Sequence, residues 1–369
     1  MKIIILSSHT DSLFWFRMDM MQEMIKKGCE VIAVGNEPEL EWSNKFQEKG
    51  IKYRCIKVNR NGLNPFSDFK TIISIKHVLS EEKPNKIFIY QAKTIVYGSI
   101  AAKLVNINEV YLLFAGLGSV FRGSGFKNRI LKKIMKIQYK IACKISKNVF
   151  FQNEDDEKTF IENKLVDKRK IVRINGSGVN LEKFKIQKFH GDPICLFIGR
   201  LIKDKGIVEY LEAARKVREQ IPNSKFLLVG PFDTNPSALS WEELNKFIVD
   251  GTIEYYGEKN DVRPYVEKSS IFVLPSYHEG TPKSVLEAMA MGKAIITTDT
   301  PGCKETVNNG ENGYLVKMKN VEELTEKIIY LLNNKDVLET MSINSFKICK
   351  DKFDVEKVNN VILKTMNLV

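Results

Sequence analysis

The sequence predicts an α/β protein with two Rossmann-like lobes, each built on a parallel sheet. Short apolar runs alternate with segments of helical periodicity along nearly all of the 369 residues. Buried parallel strands have such runs because helices cover both faces of their sheet. The runs form two successive series, so we expect two sheets rather than one.

The first series predicts the sheet of an N-terminal lobe over residues 1–180. Its opening run is too short for the apolar region of a signal peptide and is therefore interpreted as a strand. The runs of this series are Lys2–Leu6, Glu30–Val34, Lys86–Tyr90, Val110–Phe114, Val149–Gln152 and Ile171–Ile174.

The second series predicts a C-terminal lobe over residues 190–350, after a link in 180–193. Helical periodicity is clearest in Val208–Gln220 and Val321–Asn333. A last helical segment, 354–369, is expected to join the first lobe. The strand-like runs are Ile194–Ile198, Lys225–Val229, Thr252–Tyr256, Ile271–Leu274 and Ala294–Thr298.

Composition restricts the class of protein. Hydrophobic residues make up 43% of the chain, enough for two cores of ordinary size. No long apolar run predicts a transmembrane helix. The six cysteines contain no Cys-x-x-Cys and the four histidines form no ligand motif, so we expect buried thiols in a reducing cytoplasm and no metal or other cofactor.

The net charge of +12 lies entirely in the first part of the chain. Residues 1–150 contain 25 Lys and Arg against 12 Asp and Glu, whereas the remainder contains 32 against 33. Residues 110–153 contain no acid at all, and the densest basic stretch is 122–147. Isoleucines recur there at helical spacing with lysines between them, at Ile130, Ile134, Ile137, Ile141 and Ile145.

This basic stretch has more than one interpretation. The commonest is a helix whose isoleucines pack inward and whose lysines face solvent. The second interpretation is a helix that lies on an anionic membrane surface. The two interpretations are compatible if the isoleucines pack inward while a rim of lysines contacts lipid phosphates. A nucleic-acid partner is not expected, because neither an aromatic-interleaved RNA motif nor a helix-turn-helix signature is present.

The most informative stretch is residues 275–292, a loop and a helix that follow the run 271–274. Glu279 lies in the loop, and Glu287 lies in the first turns of a helix that begins near Lys283. Ligands of open α/β sheets bind at this edge, where a helix N-terminus also attracts anions. Two carboxylates there suit the hydroxyls on either side of a sugar nucleotide's phosphates. Alternatively, acidic residues near a helix start only complement the helix dipole.

A second strand-end loop is basic. Arg200, Lys203 and Lys205 follow the run 194–198. Arginine can bind two phosphate oxygens at once and lysine adds a point charge, so the loop is a candidate diphosphate clamp. The alternative is a solvated basic turn, and the expected position beside Glu279 favours the clamp.

Two loops of the first lobe are candidates for the acceptor side of the site. The loop after the first strand offers side chains for acceptor hydroxyls, although a structural role competes. The glycine-rich loop 114–125 does not fit a dinucleotide fingerprint, because its glycine spacing differs and no acidic residue follows. It serves either close backbone approach to a ligand or a turn alone. The candidates are His9, Asp11, Arg17, Gly116 and Gly118.

Together these residues resemble the retaining glycosyltransferases of family 4. The most specific part of the resemblance is the pair Glu279 and Glu287, with seven residues between them. The resemblance covers almost the whole chain and implies the GT-B fold, in which an inter-lobe cleft binds a nucleotide-sugar. Further matching segments are 178–184, 199–206, 275–280, 285–288, 292–295, 301–307 and 312–316.

The resemblance also implies roles for individual residues. Arg200 and Lys205 would hold the donor diphosphate, Glu279 would contact the transferred sugar, and these three form the expected catalytic set. Glu287 would bond the ribose hydroxyls. The rest of the donor site would be Gly280, Thr281, Lys283, Ser284 and Val285.

A narrower resemblance concerns the substrates. Segments 63–66 and 116–119 are similar to bacterial enzymes that extend undecaprenyl-diphosphate-linked sugars, N-acetylgalactosaminyltransferases above all. This implies a UDP-sugar donor, a polyprenyl-diphosphate-linked saccharide acceptor, and a peripheral place on the inner face of the plasma membrane, reached through 122–147. A UDP-N-acetylglucosamine 2-epimerase and a non-enzymatic nucleotide-sugar or nucleic-acid binding protein stay open, and no oligomeric state is predicted.

Overall fold

The computed structural model describes residues 1–59, 65–117, 125–234 and 237–369, and the chain divides into two units. The first unit comprises 1–177 and 355–369, and the second comprises 178–354. The expected link 180–193 therefore lies in the second unit. Its start is fixed there because Val179 and Phe184 are buried in that unit's core.

A parallel sheet forms the centre of the first unit. In the described residues its strand order is β3-β2-β1-β4-β5-β6-β7. The register places Ile3 of the central strand opposite Val31 on one side and Lys86 on the other. The strands are β1 (Lys2–Leu6), β2 (Glu30–Gly35), β3 (Lys52–Cys55), β4 (Lys86–Tyr90), β5 (Val110–Phe114), β6 (Asn148–Phe151) and β7 (Ile171–Arg173).

The second unit repeats this arrangement with one strand fewer among the described residues. The order is β10-β9-β8-β11-β12-β13, again parallel throughout. Both sheets thus have a central strand from which the chain continues first to one side and then to the other. The strands are β8 (Ile194–Ile198), β9 (Lys225–Val229), β10 (Glu254–Tyr255), β11 (Ile271–Leu274), β12 (Ala294–Thr298) and β13 (Gly313–Val316).

Helices cover both faces of each sheet. In the first unit, α1, α2 and α13 share one apolar core, and α3 to α6 share the core on the opposite face. The helices are α1 (Thr10–Lys26), α2 (Glu39–Gln47), α3 (Pro65–Glu82), α4 (Ala92–Leu104), α5 (Phe126–Ile145), α6 (Glu154–Glu162), α7 (Ile207–Gln220), α8 (Trp241–Val249), α9 (Arg263–Lys268), α10 (Lys283–Ala290), α11 (Val321–Asn333), α12 (Lys335–Ile348) and α13 (Val355–Thr365).

The orientation of α5 corrects one interpretation of the sequence. Its inward face is Met135, Tyr139, Ala142 and Cys143, which pack against the sheet. The isoleucine stripe lies on the opposite face, so the interpretation in which these side chains pack inward is wrong, and the alternative of an outward-facing stripe stays open. The exposed residues of the stripe are Ile130, Ile134, Ile137 and Ile141, and Phe126 at the start of the helix is exposed as well.

Two strands were not predicted, both at sheet edges. β3 alternates Lys52 and Arg54 with less polar residues, and β13 begins at Gly313, so neither has the apolar run of a central strand. No helix in the described part of the chain is both long and apolar enough to span a bilayer.

Candidate functional site

The candidate donor site lies where β8 and β11 end side by side in the second unit. The chain leaves β8 toward β9 and leaves β11 toward β12, so the connections at this point diverge. Such a divergence opens a crevice at the carboxyl ends of the strands. The loop with Arg200 and Lys205 follows β8, and the loop with Glu279 follows β11.

Lys205 and Glu279 meet in this crevice. The Lys205 ammonium forms an ion pair with Glu279 Oε1, and the Ser276 hydroxyl donates to the same oxygen at 2.9 Å. Both charged side chains are half-buried. The two loops predicted as clamp and sugar contact are therefore joined by a charge-assisted hydrogen bond.

Backbone contacts fix the Glu279 loop on both sides. The Tyr277 N–H donates to the Asp204 carbonyl at 2.9 Å, and the Glu279 N–H donates to the Pro301 carbonyl at 3.0 Å. Gly206 and Gly302 both have positive φ, and a Cβ at either would overlap backbone oxygens of this loop. The close approach of three loops thus depends on the missing side chains of two glycines.

Arg200 is oriented by a residue that the sequence analysis missed. Its guanidinium is half exposed and forms an ion pair with Asp233 at 2.7 Å. Asp233 lies in the loop after β9, the strand next to β8. The position of Asp233 after a strand marks it as a candidate in the sequence. Its pairing with Arg200, however, follows only from the order of the strands in the sheet.

The start of α10 supplies the remaining donor-site candidates. Gly280 and Thr281 are buried in the preceding loop, and Lys283 and Ser284 begin the helix. In the described part of the chain no side chain caps this N-terminus, and a helix start is a position where backbone N–H groups suit an anion. The Val285 N–H already donates to the Pro282 carbonyl at 3.1 Å, and its side chain is fully buried. Val285 therefore contributes packing here rather than a donor to the ligand.

Glu287 has an unusual titration. Burial of its carboxyl raises the pKa to about 7, although Lys283 and Lys183 oppose this rise. A carboxyl that titrates near neutrality at a strand-end crevice is a candidate for ligand binding.

The first unit has an equivalent divergence between β1 and β4. After β1, His9 Nδ1 lies 3.8 Å from the Asp11 carboxylate, and Glu37 of the next strand-end loop joins them. Ligand atoms of these three lie within 4.8 Å of one another, but exposed acidic groups are common without an ion. The absence of a metal requirement stays a prediction.

The other acceptor-side candidates are separate from this cluster or cannot be placed. Arg17 is buried on α1 beside Tyr90, and Gly116 lies just after β5 with a φ of 119°. Gly118 and the first two residues of segment 63–66 lie outside the described residues.

Comparison with known proteins identifies the family. Residues 2–153 match the model of the Glycosyl transferase 4-like family, and residues 179–348 match that of Glycosyl transferases group 1. The N,N'-diacetylbacillosaminyl-diphospho-undecaprenol alpha-1,3-N-acetylgalactosaminyltransferase of Campylobacter jejuni is 33% identical over 361 residues, 94% of this chain and 93% of that protein. The chain belongs to the glycosyltransferases. This glycosyltransferase is also 27% identical, over 77% of its length and 74% of the relative's, to the UDP-Gal:alpha-D-GlcNAc-diphosphoundecaprenol alpha-1,3-galactosyltransferase of Escherichia coli.

Solved structures confirm the fold class of the glycosyltransferase. Sucrose-phosphate synthase of Thermosynechococcus elongatus has a TM-score of 0.82 at 18% identity, covering 99% of this chain and 98% of that one. The Anabaena protein HepE in complex with UDP-glucose has a TM-score of 0.78 at 16% identity and covers the whole of both chains. The predicted GT-B fold, two Rossmann-like lobes with parallel sheets, is therefore confirmed.

Proposed function

We propose that this glycosyltransferase moves a hexosamine of the GlcNAc or GalNAc type from a UDP-sugar to a polyprenyl-diphosphate-linked saccharide. The observation that carries the proposal is the Lys205–Glu279 pair at the divergence of β8 and β11. The names of the C. jejuni and E. coli relatives both describe transfer to a saccharide on diphospho-undecaprenol, and the second names UDP-galactose as donor. Both names support the proposed class of acceptor.

The donor diphosphate would bind between the basic loop and the start of α10. Arg200 would exchange Asp233 for phosphate oxygens, and Lys205 would share its charge between Glu279 and the diphosphate. These cations would stabilise the charge that develops on UDP as it leaves, an electrostatic contribution that is often the largest in such a site.

The remaining carboxylates would orient the sugars of the donor. Glu279, held by Ser276, would accept hydrogen bonds from hydroxyls of the transferred sugar. Glu287 would accept hydrogen bonds from the ribose hydroxyls, and the ionised carboxylate is a better acceptor of these bonds than the protonated carboxyl. The two glutamates would thereby fix the donor at both ends of its diphosphate.

Retention of the anomeric configuration is proposed to follow from attack on the face that UDP leaves. The bond between the anomeric carbon and the phosphate oxygen breaks, and the acceptor hydroxyl oxygen forms the new glycosidic bond. The hydroxyl proton passes to the departing phosphate oxygen, so charge balances between the sugar cation and the departing UDP. No protein nucleophile takes part.

The test is nucleotide release from a panel of UDP-, GDP- and ADP-sugars, with and without a short polyprenyl-diphosphate saccharide. We expect release from one UDP-hexosamine that depends on the acceptor. Absence of release from any donor, with an intact acceptor and no saturable binding of a UDP-sugar, would overturn the proposal. Acceptor-independent release with a 2-epimeric hexosamine as product would instead indicate the epimerase.

We further propose that the first unit binds the inner face of the plasma membrane through α5, assisted by α3. The exposed apolar stripe of α5 is flanked on one side by basic residues, which suits an anionic lipid surface. Helix α3 belongs to the layer on the same face of the sheet and exposes Phe66, Phe69 and Ile73. The exposed basic flank of α5 is Arg129, Lys133, Lys140 and Lys144.

A further inference from the structure

The first unit contains a buried cation that the proposed donor site does not use. Arg17 of α1 is 3% exposed, and its guanidinium carbon lies 5.2 Å from the centre of the Tyr90 ring. Within residues 1–59, 65–117, 125–234 and 237–369, no carboxylate pairs with Arg17 and nothing accepts a hydrogen bond from its Nε. Burial lowers the pKa of this guanidinium, and the neighbouring Tyr90 opposes that change. Arginine nevertheless stays charged at ordinary pH.

Another buried cation of the same unit shows the contrast. Lys86 is 7% exposed, and its ammonium forms an ion pair with Glu109 at 3.0 Å and donates to the Met366 carbonyl at 2.7 Å. A buried charge without such partners costs several kcal/mol. The ring of Tyr90 offsets only part of this cost. Retention of an uncompensated Arg17 therefore indicates a partner that arrives with a ligand.

Neutral polar groups line the ends of β1 and β4, and one of them is the hydroxyl of Tyr90, whose ring contacts Arg17. Gln91 Oε1 accepts from the hydroxyls of Ser7 and Ser8 at 3.0 and 2.6 Å. The Ser12 hydroxyl receives a hydrogen bond from Gln91 Nε2 at 3.2 Å and lies 2.9 Å from the Tyr90 hydroxyl. The ring next to Arg17 is thus part of a network of hydroxyl and amide groups, and no carboxylate takes part in the hydrogen bonds of this network among the described residues. The nearest acids at this edge, Asp11 and Glu37, cluster with His9, whose carbonyl accepts from Ser7 and Ser12.

The direction of α1 points Arg17 toward the ligand-binding edge. The helix begins at Thr10, directly after the carboxyl end of β1. Side chains on a helix tilt toward its N-terminus, so a long side chain from the third turn reaches back toward that edge. The β1–β4 divergence is also where an open sheet of this order binds ligands.

We propose that Arg17 is the anion receptor of the first unit and binds the diphosphate of the lipid-linked acceptor. This assignment rests on the proposed function, in which Arg200 and Lys205 hold the donor diphosphate and the acceptor supplies the other one. The guanidinium presents several donors in a plane that matches phosphate oxygens, and the nearby hydroxyls add neutral donors.

The experiment compares Arg17→Met with the parent on two acceptors that carry the same saccharide and lipid. One acceptor has the diphosphate and the other has an uncharged ether link. For the diphosphate acceptor we expect Arg17→Met to raise KM by about 10- to 100-fold, the range for hydrogen bonds to a charged group. KM for the donor should not change, and with the ether-linked acceptor parent and variant should be alike.

A matched control removes a cation from an aromatic ring elsewhere in the unit. Lys45 lies 4.2 Å from the Trp42 ring centre and is exposed, so Lys45→Met should leave both KM values unchanged. Arg17→Lys keeps a positive charge and replaces Arg17→Met in the experiment if Arg17→Met does not fold. Its KM for the diphosphate acceptor should rise by a smaller factor than in Arg17→Met, and its KM for the ether-linked acceptor should equal that of the parent.

Equal losses on both acceptors would overturn the proposal, because they would show a structural role for Arg17. A rise in KM for the donor alone would also overturn the proposal, because it would show that Arg17 binds the diphosphate of the UDP-sugar. In either case the parent's transfer to the diphosphate acceptor would leave the proposed function standing, whereas failure of the parent itself would count against that function.

Discussion

The two units share a strand order but treat charge differently at the point where their connections diverge. In the second unit, cations and carboxylates meet in pairs, Lys205 with Glu279 and Arg200 with Asp233. In the first unit, the buried Arg17 lies against the Tyr90 ring and pairs with no carboxylate of the described residues, whereas Asp11 and Glu37 at the same edge cluster with His9. The fold therefore determines where a ligand can bind, and the side chains at that place determine which ligand is held.

The two units also differ in their net charge. The first unit contains 33 Lys and Arg against 19 Asp and Glu, and the second contains 24 against 26. A basic unit with exposed apolar helices suits a membrane and its lipid-linked substrate, and a nearly neutral unit with a paired site suits a soluble nucleotide-sugar.

Removing the negative charge of Glu279 should abolish most turnover. Glu279→Gln keeps the size of the side chain but breaks the ion pair with Lys205. We expect kcat to fall by about 10²- to 10³-fold, the range for loss of one preorganised electrostatic group. Steady-state transfer rates measure this, with Glu339→Gln on the exposed face of α12 as control. A loss of less than twofold would contradict the role given to Glu279.

Replacing the exposed stripe of α5 should detach the protein from membranes without affecting its catalysis. The triple variant Ile134→Ser, Ile137→Ser and Ile141→Ser removes side chains that would enter the interface. Because each buried isoleucine contributes roughly 1.5–3 kcal/mol when fully transferred, partial insertion of three predicts at least about tenfold weaker binding. Sedimentation with phosphatidylglycerol-containing vesicles measures it.

The control for this experiment is a variant of a still more exposed apolar residue in the other unit, Val249→Ser. It should bind vesicles as the parent does. Transfer to a water-soluble short-chain acceptor should be unchanged in the triple variant. If the parent and the triple variant bind equally, α5 is not the membrane contact.

The buried carboxylate of Glu287 should lower the stability of the folded protein at neutral and alkaline pH, where it is ionised. Its folded-state pKa of about 7 exceeds the ordinary value of 4.5, so the folded protein holds this proton more tightly. The free energy of unfolding therefore falls as pH rises from about 4.5 to 7, and the penalty persists above 7. Glu287→Gln should be more stable than the parent at pH 8, by on the order of 1–3 kcal/mol, and equal to it near pH 4.5.

Denaturant unfolding at the two pH values measures this difference, and donor KM at pH 8 should rise in the same variant. Greater stability combined with weaker donor binding is the expected signature of a ligand-binding carboxyl. A variant that is less stable at pH 8 would show that Glu287 serves the fold.

The sequence predicts strands best where they are buried. β1, β4, β5, β8 and β11 have the predicted bounds because helices cover both of their faces and only apolar side chains fit. The edge strands β3 and β13 escape the pattern, since an edge accepts polar residues. Periodicity identified α5 as amphipathic but not the direction of its stripe, because an inward and an outward stripe have the same spacing.

The candidate site was predictable only in part, for a related reason. Glu279, Lys205 and Arg200 lie in loops after strands, and that position alone marked them. Asp233 and Gln91 became visible only once the sheet order placed their loops beside Arg200 and Ser7. Such partners come from distant parts of the chain, and no local spacing encodes them.

The smallest expected effect concerns Asp233. Its ion pair with the half-exposed Arg200 must open before phosphate can bind, and an exposed pair is worth about 0.2–1 kcal/mol. Asp233→Asn should therefore lower KM for the donor by up to about fivefold. An increase in KM, measured under the same conditions, would show that Asp233 instead holds Arg200 in position for the donor.

The division of labour between the units is tested most directly by calorimetric titration of UDP into a pair of variants. Arg200→Met and Arg17→Met remove the same side chain from equivalent edges of the two units. The account predicts that UDP affinity falls at least about tenfold in Arg200→Met, in which a charged hydrogen bond is lost, and is unchanged in Arg17→Met. Equal losses in both, or a loss confined to Arg17→Met, would contradict it.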